Sequence, residues 1–493
     1  MNQIRKLAGQ TAVYGIPSIL GRLLNYMLVP IYTRVFEQDE YGIVTLMYSF
    51  VAVIFIMLTY GMETAFFRYS ELSEKRNKVF NNAMLSLLFT TSLFIFFILF
   101  FPAQIAEWIK YPGYGNFVIW IGLIISMDVL TAIPFAKLRA DNRAKRFAFI
   151  KMLNITANVG LNLFFIKLCP AVIKHYDSGI FYDFIKLVFD PGIPLISYVF
   201  ISNLIASALT LILMLPVFMR MRLDFDLKLW KQMIAYGLPL LFAGLAAVMN
   251  ETLGRIMIRY MLPEGTAEAQ LGIYAACYKI AILMSLFIQA FRYAAEPFFF
   301  SYAKHQDSRE VYALIMKYFV IAISIIFLGL MLFLDVVILL IGKDFRSGID
   351  VVPVLLLAYM FLGVYYNLSV WFKLTNRTRY GAYMAVFGAA LTIVFNLILI
   401  PESGYMGSAW ATFICYASMM LLSFFLMQKF FTVKYNYFKI AFYMALSFGF
   451  YMISKVISFE ISWLGWTWKV ALFIGFIAFI YLIERKNLKE LSG

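Results

Sequence analysis

Apolar residues run along this chain in blocks of about twenty or more, and most charged residues are confined to the short connections between blocks. Each block is long enough to cross a hydrocarbon layer of about 30 Å as a helix. Blocks of this kind fall near 10–33, 41–64, 80–101, 117–138, 147–168, 193–218, 232–258, 270–294, 313–340, 350–372, 381–400, 406–428, 438–457 and 464–483, about fourteen by the length criterion. Short, strictly alternating segments, which a membrane barrel requires, are not the pattern here. The expectation is an all-α polytopic membrane protein. Its first block is too long for a cleaved signal peptide, lacks a small-residue cleavage site and is followed by many others, so it reads as a retained span.

Composition agrees: 63% of the 493 residues are hydrophobic and 14% are charged, more apolar surface than a soluble core of this size needs. Orientation follows from Lys and Arg in the connections. Arg5 and Lys6 precede the first block, and every second connection then carries a basic cluster, such as Lys75, Arg76 and Lys78, or Arg139, Arg143, Lys145 and Arg146. The series continues through Arg220, Arg222, Lys228 and Lys231, then Lys304 and Arg309, then Lys373, Arg377 and Arg379, then Lys429, Lys434 and Lys439, and ends at Arg485, Lys486 and Lys489. This side is expected to be cytoplasmic, with both termini on it. The alternate connections lean acidic, as in Glu37, Asp39, Glu40 and in Glu264, Glu268. The net charge of +15 is therefore mainly topogenic, and no nucleic-acid partner is expected.

The chain repeats itself. "VYGIP" at Val13–Pro17 returns as "AYGLP" at Ala235–Pro239, "YGIV" at Tyr41–Val44 as "LGIY" at Leu271–Tyr274, and "GMETAFFRY" at Gly61–Tyr69 as "AAEPFFFSY" at Ala294–Tyr302. The longest match aligns Asn142-Arg143 with Asn376-Arg377 and Asn162-Leu163 with Asn396-Leu397. Each copy holds an even number of spans, about six, so the copies are expected to be parallel lobes around a central cleft. The boundaries expected are 1–218 for one lobe, 219–430 for the other, and 431–493 for two additional helices and a tail. The Gly and Pro of each "YG-x-P" suit a kink near the start of a lobe's first helix.

Some charges fall inside the spans: Arg22, Lys151, Arg255 and Lys279. Facing lipid, each would cost about 2.5–3.5 kcal/mol, roughly 10 kcal/mol together, so they must face water, partners or an anion. Arg22 and Arg255 lie on the first helix of each lobe, and two planar guanidinium forks suit a pyrophosphate. Lys279 joins them as a candidate head-group contact, and Asn25 and Asn250 as donors to sugar hydroxyls. The alternative is internal pairing: Glu251 stands one turn before Arg255, and Asp128 is free to neutralise another cation. Both acids are also the candidates for ion coupling. Arg68, Arg259 and Arg292 sit nearer helix ends, where snorkelling is expected.

Other signals are weaker. Cys169, Cys277 and Cys415 are scattered, so neither disulfide framework nor metal site is expected, and nothing calls for a cofactor. His175 and His305 fall in or near connections, outside any proton relay. "DFD" at Asp224–Asp226 has the form of a metal-dependent sugar-nucleotide transferase motif but no nucleotide-binding domain beside it. The connection from Pro170 to Gly192, with His175, Asp177, Asp183 and Asp190, is short for an external catalytic site. An enzyme is not expected.

"DLKLWKQMIAYGLPLL", "DEYGIVTLMYSF" and "NLILIPESGYMGSAWATFICY", in their order and spacing, resemble the polysaccharide (O-antigen and capsule-type) flippases of the multidrug/oligosaccharidyl-lipid/polysaccharide exporter superfamily. The likeness spans essentially the whole chain. It implies a bacterial inner-membrane carrier that moves an undecaprenyl-pyrophosphate-linked oligosaccharide to the periplasmic leaflet by alternating access. Its partners would be that substrate, membrane lipids and other membrane proteins of polysaccharide assembly. It also implies that cations of the first and seventh helices, here Arg22 and Arg255, line the cavity. A multidrug/cation antiporter of the same superfamily and a lipid II flippase are the alternatives.

Overall fold

A computed structural model of the chain describes residues 20–492 apart from 22, 73–75, 304, 376, 458 and 460–461. Arg5, Lys6, the Val13–Pro17 motif, Arg22, Lys75, Lys304 and Asn376 lie outside the described residues. All regular structure among the described residues is helical. Among the described residues thirteen helices are long and apolar enough to cross a membrane: α1 Gln38–Glu71, α2 Arg76–Phe100, α3 Gly115–Ala140, α4 Ala144–His175, α5 Ser197–Phe218, α6 Leu227–Met261, α7 Ala267–Tyr302, α8 Ser308–Leu332, α9 Val351–Leu374, α10 Arg379–Ser403, α11 Tyr405–Phe430, α12 Tyr437–Val456 and α13 Trp463–Arg485. They correspond one to one with the expected spans from 41–64 onward. The block at 10–33 falls largely outside the described residues.

Contacts divide the chain into two units that meet in sequence at Gly272 and Ile273. In the first, α3 packs against α1, α2 and α5, α5 packs against α4, and α6 lies along α1. In the second, α11 packs on α9 and α10, and α8 holds α9, α12 and α13. The two helices beyond the repeat are thus attached through α8.

Lipid tails are as apolar as leucine, so helices in a bilayer associate by close packing at small residues. Two glycine contacts in the first unit show this. A Cβ on Gly42 would lie 2.8 Å from the carbonyl carbon of Glu268, and one on Gly272 would lie 2.9 Å from that of Gln38. Gly42 and Gly272 are the matched glycines of "YGIV" and "LGIY", so the repeat places a small residue on both sides of one contact. The second contact lies where α1 bends, at Tyr60 and Gly61, both with positive φ (31° and 72°). A Cβ on Gly61 would sit 3.1 Å from the Cα of Gly237, the glycine of "AYGLP". The glycine of this "YG-x-P" copy therefore serves a helix crossing.

The repeat is visible in the backbone. Between α3 and α4, Asp141 N donates to Lys137 O (2.8 Å) and Arg143 N to Leu138 O (2.8 Å); between α9 and α10, Thr375 N donates to Trp371 O (2.9 Å) and Arg377 N to Phe372 O (2.7 Å). These are equivalent positions of the aligned Asn-Arg segments. Asn162 and Asn396 are both buried, and each donates Nδ2 to the carbonyl four residues back, Asn158 (2.8 Å) and Thr392 (2.6 Å).

The connection after α4 folds onto its own helices. Ile185 and Phe189 pack with Phe165, Cys169, Val172 and Tyr198 in one cluster. The short helix Ile180–Val188 turns Ile180 and Leu187 outward, 93% and 83% exposed. Such an amphipathic helix suits a membrane interface.

Candidate functional site

Asp226 starts α6: its carboxylate accepts from Lys228 N (3.0 Å) and Leu229 N (3.1 Å), satisfying first-turn amides that have no helical partner. Asp224 faces Lys78 at 3.6 Å. The "DFD" segment is thus a helix cap and an ion pair. From this start α6 runs to Met261 and carries four of the polar groups singled out from sequence. Asn250 is half-buried, Glu251 exposed and Arg255 half-buried. The Arg255 guanidinium donates to the backbone carbonyl of Glu251 (3.0 Å).

Arg259 departs from expectation. It does not snorkel; it is 5% exposed and clamped. Its Nε lies 2.7 Å from a Glu268 carboxylate oxygen and 2.8 Å from the Tyr111 hydroxyl, and it donates from NH2 to the Lys110 carbonyl (3.3 Å). Tyr260 reaches the carbonyl of Ile109 (3.0 Å). The segment linking α2 to α3 thus folds over the end of α6. Burial pushes the Tyr111 phenol above its ordinary range, against the opposing pull of Arg259, so it stays protonated.

Lys279 is half-buried on α7 in the second unit, and Asn25 is exposed in the first. Arg22 lies outside the described residues. Asp128, on α3, accepts from the Ser207 hydroxyl (2.9 Å), and the cation it meets electrostatically is Lys151 of α4. Around them Asn203 donates to Tyr48 (3.0 Å) and Asn154 to Thr210 (2.9 Å). The Lys151 ammonium lies over the Phe135 ring, 4.9 Å from its centre. Among the described residues no group of three or more His, Cys, Asp or Glu side chains is placed to hold a metal ion.

Sequence reasoning missed a charge pair that occurs twice. Glu63 of α1 pairs with Arg139 of α3, and Glu296 of α7 pairs with Lys373 of α9 at 2.5 Å. The two acids are matched positions of "GMETAFFRY" and "AAEPFFFSY", and the two cations are matched through the Asn-Arg alignment, so the signal was present in the repeat. Arg139 also lies over Phe67, 5.0 Å from its ring centre; Arg292 lies over Tyr366 at 4.0 Å and reaches Glu296 at 3.6 Å. Glu63 and Arg139 are about one-third exposed, so Glu63→Gln is expected to lower unfolding free energy by only about 0.5–1 kcal/mol. The swap Glu63→Arg with Arg139→Glu should restore it, as read from thermal denaturation of both variants.

These features describe an α-helical, multi-pass membrane protein with an internal repeat and charged groups inside its bundles, the outline of a membrane transporter. Two family models, both described as "Polysaccharide biosynthesis protein", match residues 31–172 and 184–303. Between them the two matches take in about half of the chain, which is similar over those segments to polysaccharide biosynthesis proteins. In fold it is similar to the lipid II flippase MurJ in an inward closed conformation, at 12% identity over 95% of this chain and 98% of that one, with TM-score 0.70. It is similar also to an inward-facing multidrug resistance MATE transporter (13% identity, 85% and 97% covered, TM-score 0.65). A mutant of the Vibrio cholerae MATE transporter VcmN is a third (12% identity, 87% and 98% covered, TM-score 0.58). Identities this low carry the fold alone. No sequence among curated proteins matches.

Proposed function

We propose that this chain is a flippase that carries an undecaprenyl-pyrophosphate-linked oligosaccharide from the cytoplasmic to the periplasmic leaflet by alternating access. The observation that carries the reading is the excess of cations inside the spans of a chain that matches polysaccharide-biosynthesis models, with Arg255 half-buried on α6. Lobes 1–218 and 219–430 move about a cleft, residues 431–493 are appended to the second, and the ends rich in Lys and Arg face the cytoplasm of a bacterial inner membrane. The lipid tail stays in the bilayer while the pyrophosphate travels on Arg22, Arg255 and Lys279, and Asn25 and Asn250 meet sugar hydroxyls. No bond is made or broken.

With an inside-negative potential, outward movement of the anionic head is favoured by up to about 2.3 kcal/mol per charge per 100 mV. Flipping in proteoliposomes should slow when the potential is collapsed; an unchanged rate would remove the electrical step and leave ion coupling through Asp128 or Glu251. The hydrogen bond that Asp128 accepts from Ser207 weighs against the antiporter reading, which needs a carboxylate open to a cationic cargo. The fold shared with MurJ keeps a lipid II cargo as the second reading, distinguished by whether glycosyltransferase genes stand beside this one.

For Arg255→Ala the expected result is normal membrane insertion with surface polysaccharide lost, and Arg255→Lys should restore it only in part because the bidentate fork is gone. The same holds for Arg22→Ala. Undiminished export in both Ala variants, measured at equal membrane levels, would show the two arginines to be structural.

A further inference from the structure

The first unit carries two neighbouring cavities outside the candidate head-group residues. Between α5 and α6 the chain runs through residues 219–227 with apolar and charged side chains in strict alternation: Met219, Met221, Leu223, Phe225 and Leu227 against Arg220, Arg222, Asp224 and Asp226. Two buried amides on α2 fix this segment. Asn81 Oδ1 accepts from Arg222 N (3.2 Å) and Asn82 Oδ1 from Asp226 N (3.0 Å). The anchored segment borders both cavities: Met219 to Arg222 and Asp224 line one, and the next residue, Phe225, lines the other.

On the charged side lies a cavity of about 830 Å³, where Arg76, Lys78, Lys137, Arg220 and Arg222 stand against Asp141 and Asp224. Each carboxylate is engaged by one lysine, Asp141 by Lys137 (3.8 Å) and Asp224 by Lys78 (3.6 Å). Among the described residues Arg76, Arg220 and Arg222 make no ion pair. On the apolar side, α2 and α6 form an open groove of about 550 Å³ lined by Leu85, Phe89, Phe225, Trp230, Ile234 and Leu238. Its polar groups are already matched, since Ser86 takes Trp230 Nε1 (2.7 Å) and the Tyr60 hydroxyl (2.6 Å). Phe89 is 73% exposed, with no protein covering it.

Topogenic charge accounts for basic residues at this end of the spans but not for three arginines gathered in one concavity beside a greasy groove. We propose that the pair of cavities binds one anionic phospholipid, its phosphate on Arg76, Arg220 and Arg222 and an acyl chain in the α2–α6 groove. The groove selects a lipid over a soluble anion, and the arginines select an anionic head over a zwitterionic one. The bound lipid ties the start of α6 to α2.

The test titrates purified protein in detergent with phosphatidylglycerol or phosphatidylcholine carrying dibrominated chains, which quench nearby indoles. Trp230 emission is taken as the difference between the wild type and Trp230→Phe. Phosphatidylglycerol should quench at a concentration about tenfold lower than phosphatidylcholine, and Arg220→Gln with Arg222→Gln should erase most of that preference. Native mass spectrometry of the wild type gives the same comparison should Trp230→Phe not fold. Equal action of the two lipids, or a preference that survives the double substitution, would overturn the proposal. So would inorganic pyrophosphate raising the melting temperature while brominated lipid leaves Trp230 unquenched, the signature of a soluble-anion site. Binding is read without transport, so either outcome leaves the flippase reading where it stands.

Discussion

Glu484→Ala is expected to insert normally and then lose its last two helices from the rest of the second unit. The carboxylate of Glu484 is 1% exposed and lies 2.5 Å from the Lys317 ammonium of α8 and 2.9 Å from that of Lys439 on α12. Tyr443, also of α12 and fully buried, donates its hydroxyl at 2.7 Å. One acid from α13 thus closes a junction of three helices, and its side chain is the anion between two cations. Removing it leaves Lys317, 12% exposed, beside Lys439 with no compensating charge. Stripping one partner from a buried ion pair costs about 3–5 kcal/mol, because the remaining charge stays desolvated. Elsewhere α13 is held by the Lys469–Asp335 pair and by aromatic contacts with Phe333, Phe442 and Phe450, so the loss should appear as partial local release: faster proteolysis in the connection between α11 and α12, with the α9–α11 core unaffected. Glu484→Gln, which keeps the acceptor for Tyr443, should lie between wild type and Ala. Protease sensitivity equal to wild type in Glu484→Ala would show that apolar packing alone holds α12 and α13.

The span pattern was legible because each helix is a continuous apolar block, a signal that survives without any partner. The repeat was legible because Asn-Arg and Tyr-Gly carry identity that apolar filler lacks, and it went on to mark the turn geometry at Arg143 and Arg377. What stayed hidden were the partners of charges. Arg259 stands two residues from the end of α6, where a long side chain normally reaches the head groups; nothing local announces that Tyr111 and Lys110 cover it. Lys317 and Glu484 are far apart in sequence, and neither has an i,i+4 partner to suggest a clamp. Asp128 was a candidate neutralising acid from sequence, and its hydrogen bond to Ser207 needed the packing of α3 on α5. Of the head-group candidates, Asn250 and Arg255 share α6, with the ion-coupling candidate Glu251 between them, while Asn25 is exposed. Glu63 and Glu296 are different: their repeat-matched positions stood in the aligned motifs, and the same comparison could have found their cations.

Glu268→Ala should be the other severe substitution, acting at the end of the spans away from the basic clusters. Glu268 is the carboxylate that meets Arg259, and their side chains are 17% and 6% exposed. Without it the guanidinium keeps only the Tyr111 hydroxyl and the Lys110 carbonyl, both neutral acceptors. The expected loss is about 3–5 kcal/mol, measured by unfolding in mixed detergent. Glu268→Gln should lose less, since an amide oxygen still accepts. The decisive comparison is the double variant Arg259→Met with Glu268→Leu: it removes both charges and leaves an apolar contact, so it should recover most of the loss. That recovery separates a desolvated charge from the seat that Glu268 offers Gly42, because the backbone contact between them is the same in every variant. A double variant as unstable as Glu268→Ala would mean that the side chains hold α1 and α7 in place by their shape, and that charge is incidental to the contact.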